Sequence, residues 1–421
     1  MVLLLLLGLS PARASDDNSL IIGLVSSTTT RTNPLQPIER EFMSLTALVY
    51  ESLVVIDDDY LPKQHLAERW ESSSDGSSWT FTLREGVTFH DGSPLTSADV
   101  VATVTEILRL ANDEAAANKG AYSSLKYFIK NISAGDERTV TITTERKNFG
   151  FLYAMTFPIQ PAAWVNYENP PGSGPYMVEQ FMPTDYLWLK VNPVWWGGVP
   201  AITNISAMFH ATNRELISSY EYNRVDAILT RSMTAAQYRS GVNSLNLTYR
   251  TRQLETLQMN RRSYELEDVR VRRAIRAAIN FDTIVQNAYM GMGMRTNTPL
   301  PSGTWMYQAD EVAHRQNVEL ANQLLDETGW VDSNGDGIRD MVRNGSLVKL
   351  SLRFYVYEEQ DNSVRANVAA QIVSHLAGVG IEARLMMMSF KEVKEKLEAG
   401  SYDLALASFN MDFTPDPGFL L

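Results

Sequence analysis

Val348-Lys349-Leu350-Ser351-Leu352-Arg353-Phe354-Tyr355-Val356-Tyr357 is an apolar run of strand length, and Ile381-Glu382-Ala383-Arg384-Leu385-Met386-Met387 and Asp403-Leu404-Ala405-Leu406-Ala407-Ser408-Phe409 are two more. Residues 364–377 and 390–399, which separate them, have the length and polar content of helices. The pattern predicts strand 348–357, helix 364–377, strand 381–387, helix 390–399 and strand 403–409. Strands alternating with helices are joined by right-handed crossovers and lie mainly parallel, so this part of the chain reads as α/β. Ligands of open α/β sheets bind beyond the carboxyl ends of the strands. The last strand runs into Asn410-Met411-Asp412, which places Asp412 where a ligand would meet the sheet.

Toward the amino end the same grammar holds back to Asn260. Val271, Ala274, Ile275 and Ala278 repeat at i, i+3, i+4, i+7 and mark an amphipathic helix. A second helix fits 318–327, with Leu320, Ala321, Leu324 and Leu325 on its buried side. Before Asn260 the chain is richer in antiparallel strand signals. Trp79, Phe81 and Leu83 alternate with Thr80, Thr82 and Arg84 ahead of turns at Glu85-Gly86 and Asp91-Gly92. Thr96 and Asp99 form an approximate capping box before a helix carrying Val100, Val101, Val104, Ile107 and Leu108. Further strands are expected at 139–143, 176–181, 186–191 and 202–209. Residues 20–25 read as a short buried strand, and the polar loop 26–33 that leaves its end, Thr30 included, is a favoured place for a ligand. A chain of 421 residues exceeds what one core supports, and the change of grammar divides it into lobes at 15–260 and 261–421.

Composition removes several functions. With 37 basic and 49 acidic residues the net charge is -12, which repels a phosphate backbone or an anionic membrane, so nucleic acid is not an expected partner. The chain has no cysteine, which excludes disulfides, thiolate nucleophiles, Cys-ligated metal and a lipidated lipoprotein cysteine. Residues 1–14 read as a secretory leader: an apolar run from Val2 to Leu9, then Ala12-Arg13-Ala14, with cleavage expected before Ser15, although no Lys or Arg precedes the run. The run is far shorter than the ~20 apolar residues of a membrane span, and a periplasmic location is expected. The alternative, a buried amino-terminal strand, is disfavoured by the leucine-rich composition.

Short motifs yield little chemistry. Asp332-Ser333-Asn334-Gly335-Asp336-Gly337 resembles the start of a calcium loop, but Arg343 stands where a bidentate Glu is required, so a tight Asp-Gly turn is expected and no metal. His65, His90, His210, His314 and His375 have no ligand spacing and read as structural. Gly291-Met292-Gly293 lacks a third glycine and follows a helix, which makes it a loop and no phosphate cradle. No nucleophile elbow or P-loop occurs. Met290, Met292 and Met294, and Met386, Met387 and Met388, read as core filling. Trp195, Trp196 and Trp305 would suit a cleft that holds peptide side chains, although such rings at strand ends are usually core.

Longer stretches are more specific. Tyr50-Glu51-Ser52-Leu53-Val54, Leu66-Ala67-Glu68-Arg69-Trp70 and the run from Trp79-Thr80-Phe81-Thr82-Leu83 through Phe89-His90-Asp91-Gly92-Ser93-Pro94-Leu95-Thr96 to Ala98-Asp99-Val100 resemble the signature of family 5 extracellular solute-binding proteins. These are the oligopeptide-, dipeptide- and nickel-binding components of ABC importers. The resemblance continues through Gly172-Ser173-Gly174-Pro175-Tyr176, Val271-Arg272-Arg273-Ala274-Ile275, Leu324-Leu325-Asp326-Glu327-Thr328-Gly329-Trp330 and Gly380-Ile381. It implies a two-lobe periplasmic-binding-protein-like fold of type II, cluster C, with an extra subdomain in lobe one at about 45–170. It also implies a carboxy-terminal return to lobe one, which is expected to be missing here.

The resemblance further implies a non-enzymatic, monomeric subunit without cofactor, which captures a peptide-like ligand and passes it to inner-membrane permease subunits with cytoplasmic ATPases. Peptide binders of the family hold the α-ammonium with an aspartate in a loop that Met411-Asp412-Phe413-Thr414-Pro415-Asp416-Pro417 resembles, which makes Asp412 the expected anchor. Dipeptide binders place an arginine after the strand ending here at Tyr357, where this chain has Glu358 and Glu359, a departure that favours longer or cationic ligands. With Thr30 and Trp305 these complete the expected site. Two other readings stay open: a sugar, opine or metal chelate on the same scaffold, or a secreted hydrolase with paired carboxylates. A sensor role shares the fold.

Overall fold

The computed structural model describes residues 2–8 (backbone), 18–36, 39–113, 120–148, 150–233, 235, 238, 244–251, 253–300, 304, 307, 315–359 and 363–410. In the first lobe, β1 (Val2–Gly8), β2 (Ser19–Val25) and α1 (Arg40–Thr46) lead into a subdomain of β3 (Val54–Ile56), β4 (Pro62–Gln64), β5 (Ala67–Ser72), β6 (Ser78–Leu83), α2 (Ser97–Asn112), β7 (Ile129–Ala134) and β8 (Thr139–Thr144). β9 (Tyr176–Met182), β10 (Tyr186–Val191), β11 (Asn204–His210), α3 (Asn213–Glu221), β12 (Ala227–Thr230) and β13 (Ser244–Arg250) return to the main sheet. The second lobe holds β14 (Gln253–Met259), α4 (Tyr264–Glu267), α5 (Val269–Ala278), α6 (Phe281–Ala288), α7 (Val318–Glu327), β15 (Asp340–Arg343), β16 (Ser346–Lys349), β17 (Ser351–Tyr357), α8 (Val364–Ala377), β18 (Glu382–Met388), α9 (Phe390–Glu398) and β19 (Leu404–Asn410).

The main sheet of the first lobe has the order β13-β1-β12-β2-β11-β10-β9, with β2 parallel to both β11 and β12. Gly23 lets α3 lie close on β2, since a Cβ there would stand 2.7 Å from Leu216 Cδ1. The run expected as a leader forms β1, which is antiparallel to both β12 and β13, Leu4 facing Thr230 on one side and Thr248 on the other. Cleavage before Ser15 would take this strand out of the sheet's interior; residues 9–17 around the expected cleavage point lie outside the described residues.

In the subdomain, alternation does what the sequence predicts. Trp79, Phe81 and Leu83 are buried on one face of β6, against Val140 and Ile142 of β8 and Val100, Val104 and Ile107 of α2. The Thr96 backbone N–H and hydroxyl both donate to Asp99, whose other carboxylate oxygen accepts from the Ala162 N–H, so the cap also fixes the loop that leaves the subdomain. A buried carboxylate joins subdomain and main sheet. Glu51, 3% exposed, accepts from Ser173 Oγ at 2.8 Å and from the indole N–H groups of Trp195 and Trp196 at 3.0 Å, while His65 Nε2 lies 3.1 Å away. Trp195 and Trp196 are therefore held in this knot, with the Arg84 guanidinium 4.1 Å over the Trp196 ring.

The second sheet has the order β14-β19-β17-β18, with β17 parallel to β18 and β19 and with β14 antiparallel to β19. β14 precedes Asn260 yet lies in this sheet, and it carries the chain across from the first lobe. The helices pack Val271, Ala274, Ile275, Ala278, Ala321, Leu325, Val368 and Ile372 onto Leu352, Phe354, Val356, Leu404 and Leu406. Two expectations need correction. The run 348–357 is two strands: β15 and β16 form a hairpin on Asn344-Gly345, both at positive φ as a type I′ turn requires, and the ladder breaks at buried Leu350, after which β17 pairs with β18 instead. The apolar character continues across the break, which hides it. Leu320 is exposed rather than buried, because α7 meets the core through Ala321, Leu325 and the half-buried Leu324. The Asp332 carboxylate accepts the N–H groups of Gly335, Asp336 and Gly337, and Lys349 sits 2.6 Å from Asp336, an arrangement of a self-capped turn.

Replacing Glu51 leaves its buried donors without an acceptor. Glu51→Ala is expected to cost about 3 kcal/mol or more, and Glu51→Gln, which keeps one acceptor oxygen, less. Thermal unfolding checks this, and melting temperatures equal to wild type would contradict the role of the knot.

Candidate functional site

Parallel β17 and β19 end side by side, and α8 starts just beyond them with Arg365 in its first turn. A cation is unfavourable at the positive end of a helix dipole, so a guanidinium there needs carboxylates. Arg365, 4% exposed, has two: Nη1 and Nη2 donate to both oxygens of Glu255 at 2.9 and 3.1 Å, and Nη2 also to Glu359 at 3.0 Å. The guanidinium lies 3.9 Å over the Tyr357 ring. Glu255 on β14 faces Ser408 on β19, whose hydroxyl donates to it at 2.5 Å, and Gln253 donates its amide N–H to both Glu255 and Ser408. Burial alone would pull the Arg365 guanidinium below its ordinary value, but Glu255, Tyr357 and Glu359 hold it above, so it stays charged. Burial pushes the Tyr357 hydroxyl up to about 12, with Arg365 opposing and Glu359 and Glu255 adding to the rise.

Beside this network lies a cavity of about 210 Å³. Gln253, Glu255, Leu254 and Leu257 of β14 form one wall, Phe281, Ile284, Val285 and Tyr289 another, and Met292, Met294, Arg295, Thr296 and Leu300 of the following loop a third. Val368, Ile372 and Leu406 close the base. Tyr60 comes from the first lobe, at the tip of the turn between β3 and β4. Its φ of 59° is uncommon for an aromatic residue and costs about 1–3 kcal/mol. Asp57 holds the turn by accepting from the Asp59 and Leu61 N–H groups, and the Tyr153 hydroxyl donates to the Tyr60 carbonyl at 2.9 Å. The cavity is thus built from both lobes, at the ligand-binding end of the second sheet.

The expected residues fall unevenly around it. Tyr357 and Glu359 belong to the Arg365 network. Glu358 is exposed next to it, its N–H bonded to the Met388 carbonyl. Thr30 is exposed in the loop after β2, whose neighbours Ser26, Thr28 and Thr29 bond their hydroxyls to Glu39; the residues lining the cavity do not include it. Asp412 and Trp305 lie outside the described residues. Sequence reading missed Arg365, Glu255, Gln253, Tyr60 and Tyr289. An arginine in a helix's first turn was a usable signal, because the dipole disfavours it there. Met292 and Met294, read as core, line the cavity instead, since the Met290-Gly291 backbone at positive φ turns the loop back beside α6.

The model of the family "Bacterial extracellular solute-binding proteins, family 5 Middle" matches residues 62–421, and the chain belongs to this family. It is 26% identical over 374 residues to the "Probable D,D-dipeptide-binding periplasmic protein DdpA" of Escherichia coli, covering 84% of this chain and 66% of that protein. It is 23% identical over 414 residues to the "Oligopeptide-binding protein AppA" of Bacillus subtilis, covering 94% and 73%. The chain thus spans about two thirds to three quarters of the length of these relatives. Among solved structures, HbpA2 from Haemophilus parasuis superposes with a TM-score of 0.77 at 20% identity, covering 94% of this chain and 81% of that one. AppA in complex with a nonapeptide gives 0.70 at 22%, covering 94% and 80%. The fold is the two-lobe, type II fold of periplasmic binding proteins.

Removing one partner of a buried ion pair strands the other. Arg365→Met is expected to destabilise the protein by about 3–5 kcal/mol, and adding Glu255→Leu to recover part of that loss. Urea unfolding of the two single variants and the double variant measures the coupling, and additive losses would contradict the pairing.

Proposed function

We propose that the chain captures a peptide-like solute bearing an ammonium group, outside the cytoplasmic membrane, and presents it to the permease of an ABC importer. The observation that carries this is the cavity walled by the second lobe and covered by Tyr60 of the first, because a solute held between lobes stabilises their closed arrangement. Membership of the solute-binding family and relatives named for dipeptide and oligopeptide binding support it. Acidic groups outnumber basic ones at this edge, with Glu255, Glu359 and exposed Glu358 around Arg365, and Asp412, just after β19, is the proposed partner of the ammonium. The protein works as an exported monomer and without turnover: capture and release suffice, and the chain offers no nucleophile motif.

Native mass spectrometry of the purified protein is expected to show a bound peptide mass. Titration with alanine tri- to pentapeptides is expected to give binding that N-acetylation weakens, and Asp412→Asn is expected to weaken the free peptides by about 2–5 kcal/mol while removing that difference. Equal affinity for free and acetylated peptides would sink the ammonium assignment. Peptide hydrolysis with multiple turnovers would sink the reading as a whole.

A further inference from the structure

We propose that Tyr60 is the closing contact of the first lobe: its turn is kept in an unfavourable backbone conformation so that this residue meets the second lobe over a captured solute. The inference rests on the capture reading and names the residue that seals the site. The turn supplies the first argument. The Tyr60 N–H donates to the Asp57 carbonyl at 3.0 Å and the Asp57 N–H to the Leu61 carbonyl at 3.0 Å, next to the Ile56 and Pro62 pair of the β3–β4 ladder. A reverse turn followed by a left-handed residue favours glycine at that last position, because a Cβ is penalised there. This chain has tyrosine, at φ 59°. The Asp57 carboxylate accepts from the Asp59 and Leu61 N–H groups, with Lys63 3.2 Å away, and Tyr153, from outside the turn, donates its hydroxyl to the Tyr60 carbonyl at 2.9 Å. Tyr60 is half-buried between exposed Asp59 and exposed Leu61, so the hairpin itself gives no reason for an aromatic residue here.

The second argument is place. Among the described residues that line the cavity, Thr251 joins β13 to β14 and Tyr60 alone comes from the body of the first lobe. The opposite lobe repeats the device. Met290, just after α6, has φ 52°, where a chain leaving a helix favours glycine, and Gly291 follows at φ 77°. The loop they turn supplies residues 292–296 to the cavity. Of the other non-glycine residues at positive φ among those described, Asn223 and Asn344 are of a type that tolerates it, and Thr184 lies in the β9–β10 turn. Two loops that meet at one cavity, one from each lobe, thus each hold a side chain where local preference asks for none. Strain of this kind persists at ligand clamps, where the surroundings over-determine it.

Tyr60→Gly and Tyr60→Ala test this together. Both remove the ring, and only glycine removes the strain. Tyr60→Gly is expected to melt about 2 °C above wild type, and both variants to bind tri-alanine about tenfold more weakly. A residue that merely supports its hairpin would behave in the opposite way, so unchanged affinity in the two variants overturns the proposal. Contact between the lobes can be read without any ligand, because the chain has no cysteine of its own. Tyr60→Cys combined with Met294→Cys is expected to be joined by a short bismaleimide, whereas Val55→Cys, exposed on β3, combined with Met294→Cys is not. Absence of the first cross-link in a protein that binds the peptide overturns the closing contact and leaves capture standing. The cross-link forming while wild type binds none of the alanine peptides overturns capture, and with it the solute over which Tyr60 closes.

Discussion

The guanidinium of Arg365, buried at the start of α8 between Glu255 and Glu359, is the constraint around which the ligand edge of the second lobe is arranged. A positive charge at the amino end of a helix, out of water, is tolerated only when carboxylates face it. Those carboxylates come from β14 and from the end of β17, and Ser408 brings β19 into the same network. One pairing thus fixes the relative positions of the crossing strand, two parallel strand ends and a helix. It also sets the side of the cavity, because Glu255 and Gln253 line it and cannot move without breaking the network.

The first lobe uses the opposite polarity. There a single buried carboxylate, Glu51, gathers donors from Ser173, Trp195 and Trp196 beside His65, and so locks the subdomain to the main sheet. The subdomain in turn presents the β3–β4 turn with Tyr60 at its tip, held in a strained conformation by Asp57 and Tyr153. Each lobe is therefore internally fixed by a polar knot. For the proposed capture of a solute between them, walls fixed in this way would limit the ordering cost of binding.

The α/β grammar of the second lobe was legible because buried parallel strands are apolar on both faces and helices leave a stripe, and α7 and α8 end where periodicity predicts. What it could not show was the break at Leu350, where apolar character runs through a change of strand partner, or the exposure of Leu320, which lies beside the stripe formed by Ala321, Leu324 and Leu325. The site was less legible. Tyr357 and Glu359 were singled out by the family resemblance at a strand end and do join the Arg365 network, but Arg365 and Glu255 lie 110 residues apart and meet only through the pairing of β14 with β19. Tyr60 belongs to a turn whose sequence says nothing about the lobe opposite. Met292 and Met294 read as core because side-chain chemistry alone does not distinguish a core from a cavity wall.

Hydrogen exchange with and without a saturating bound peptide tests the central claim most directly. The account predicts slowed exchange together at the Tyr60 turn (57–61), along β14 (253–257) and in the loop 289–296. These segments come from both lobes and converge on one cavity. Protection confined to one lobe, or lying elsewhere with these three segments unchanged, would contradict it.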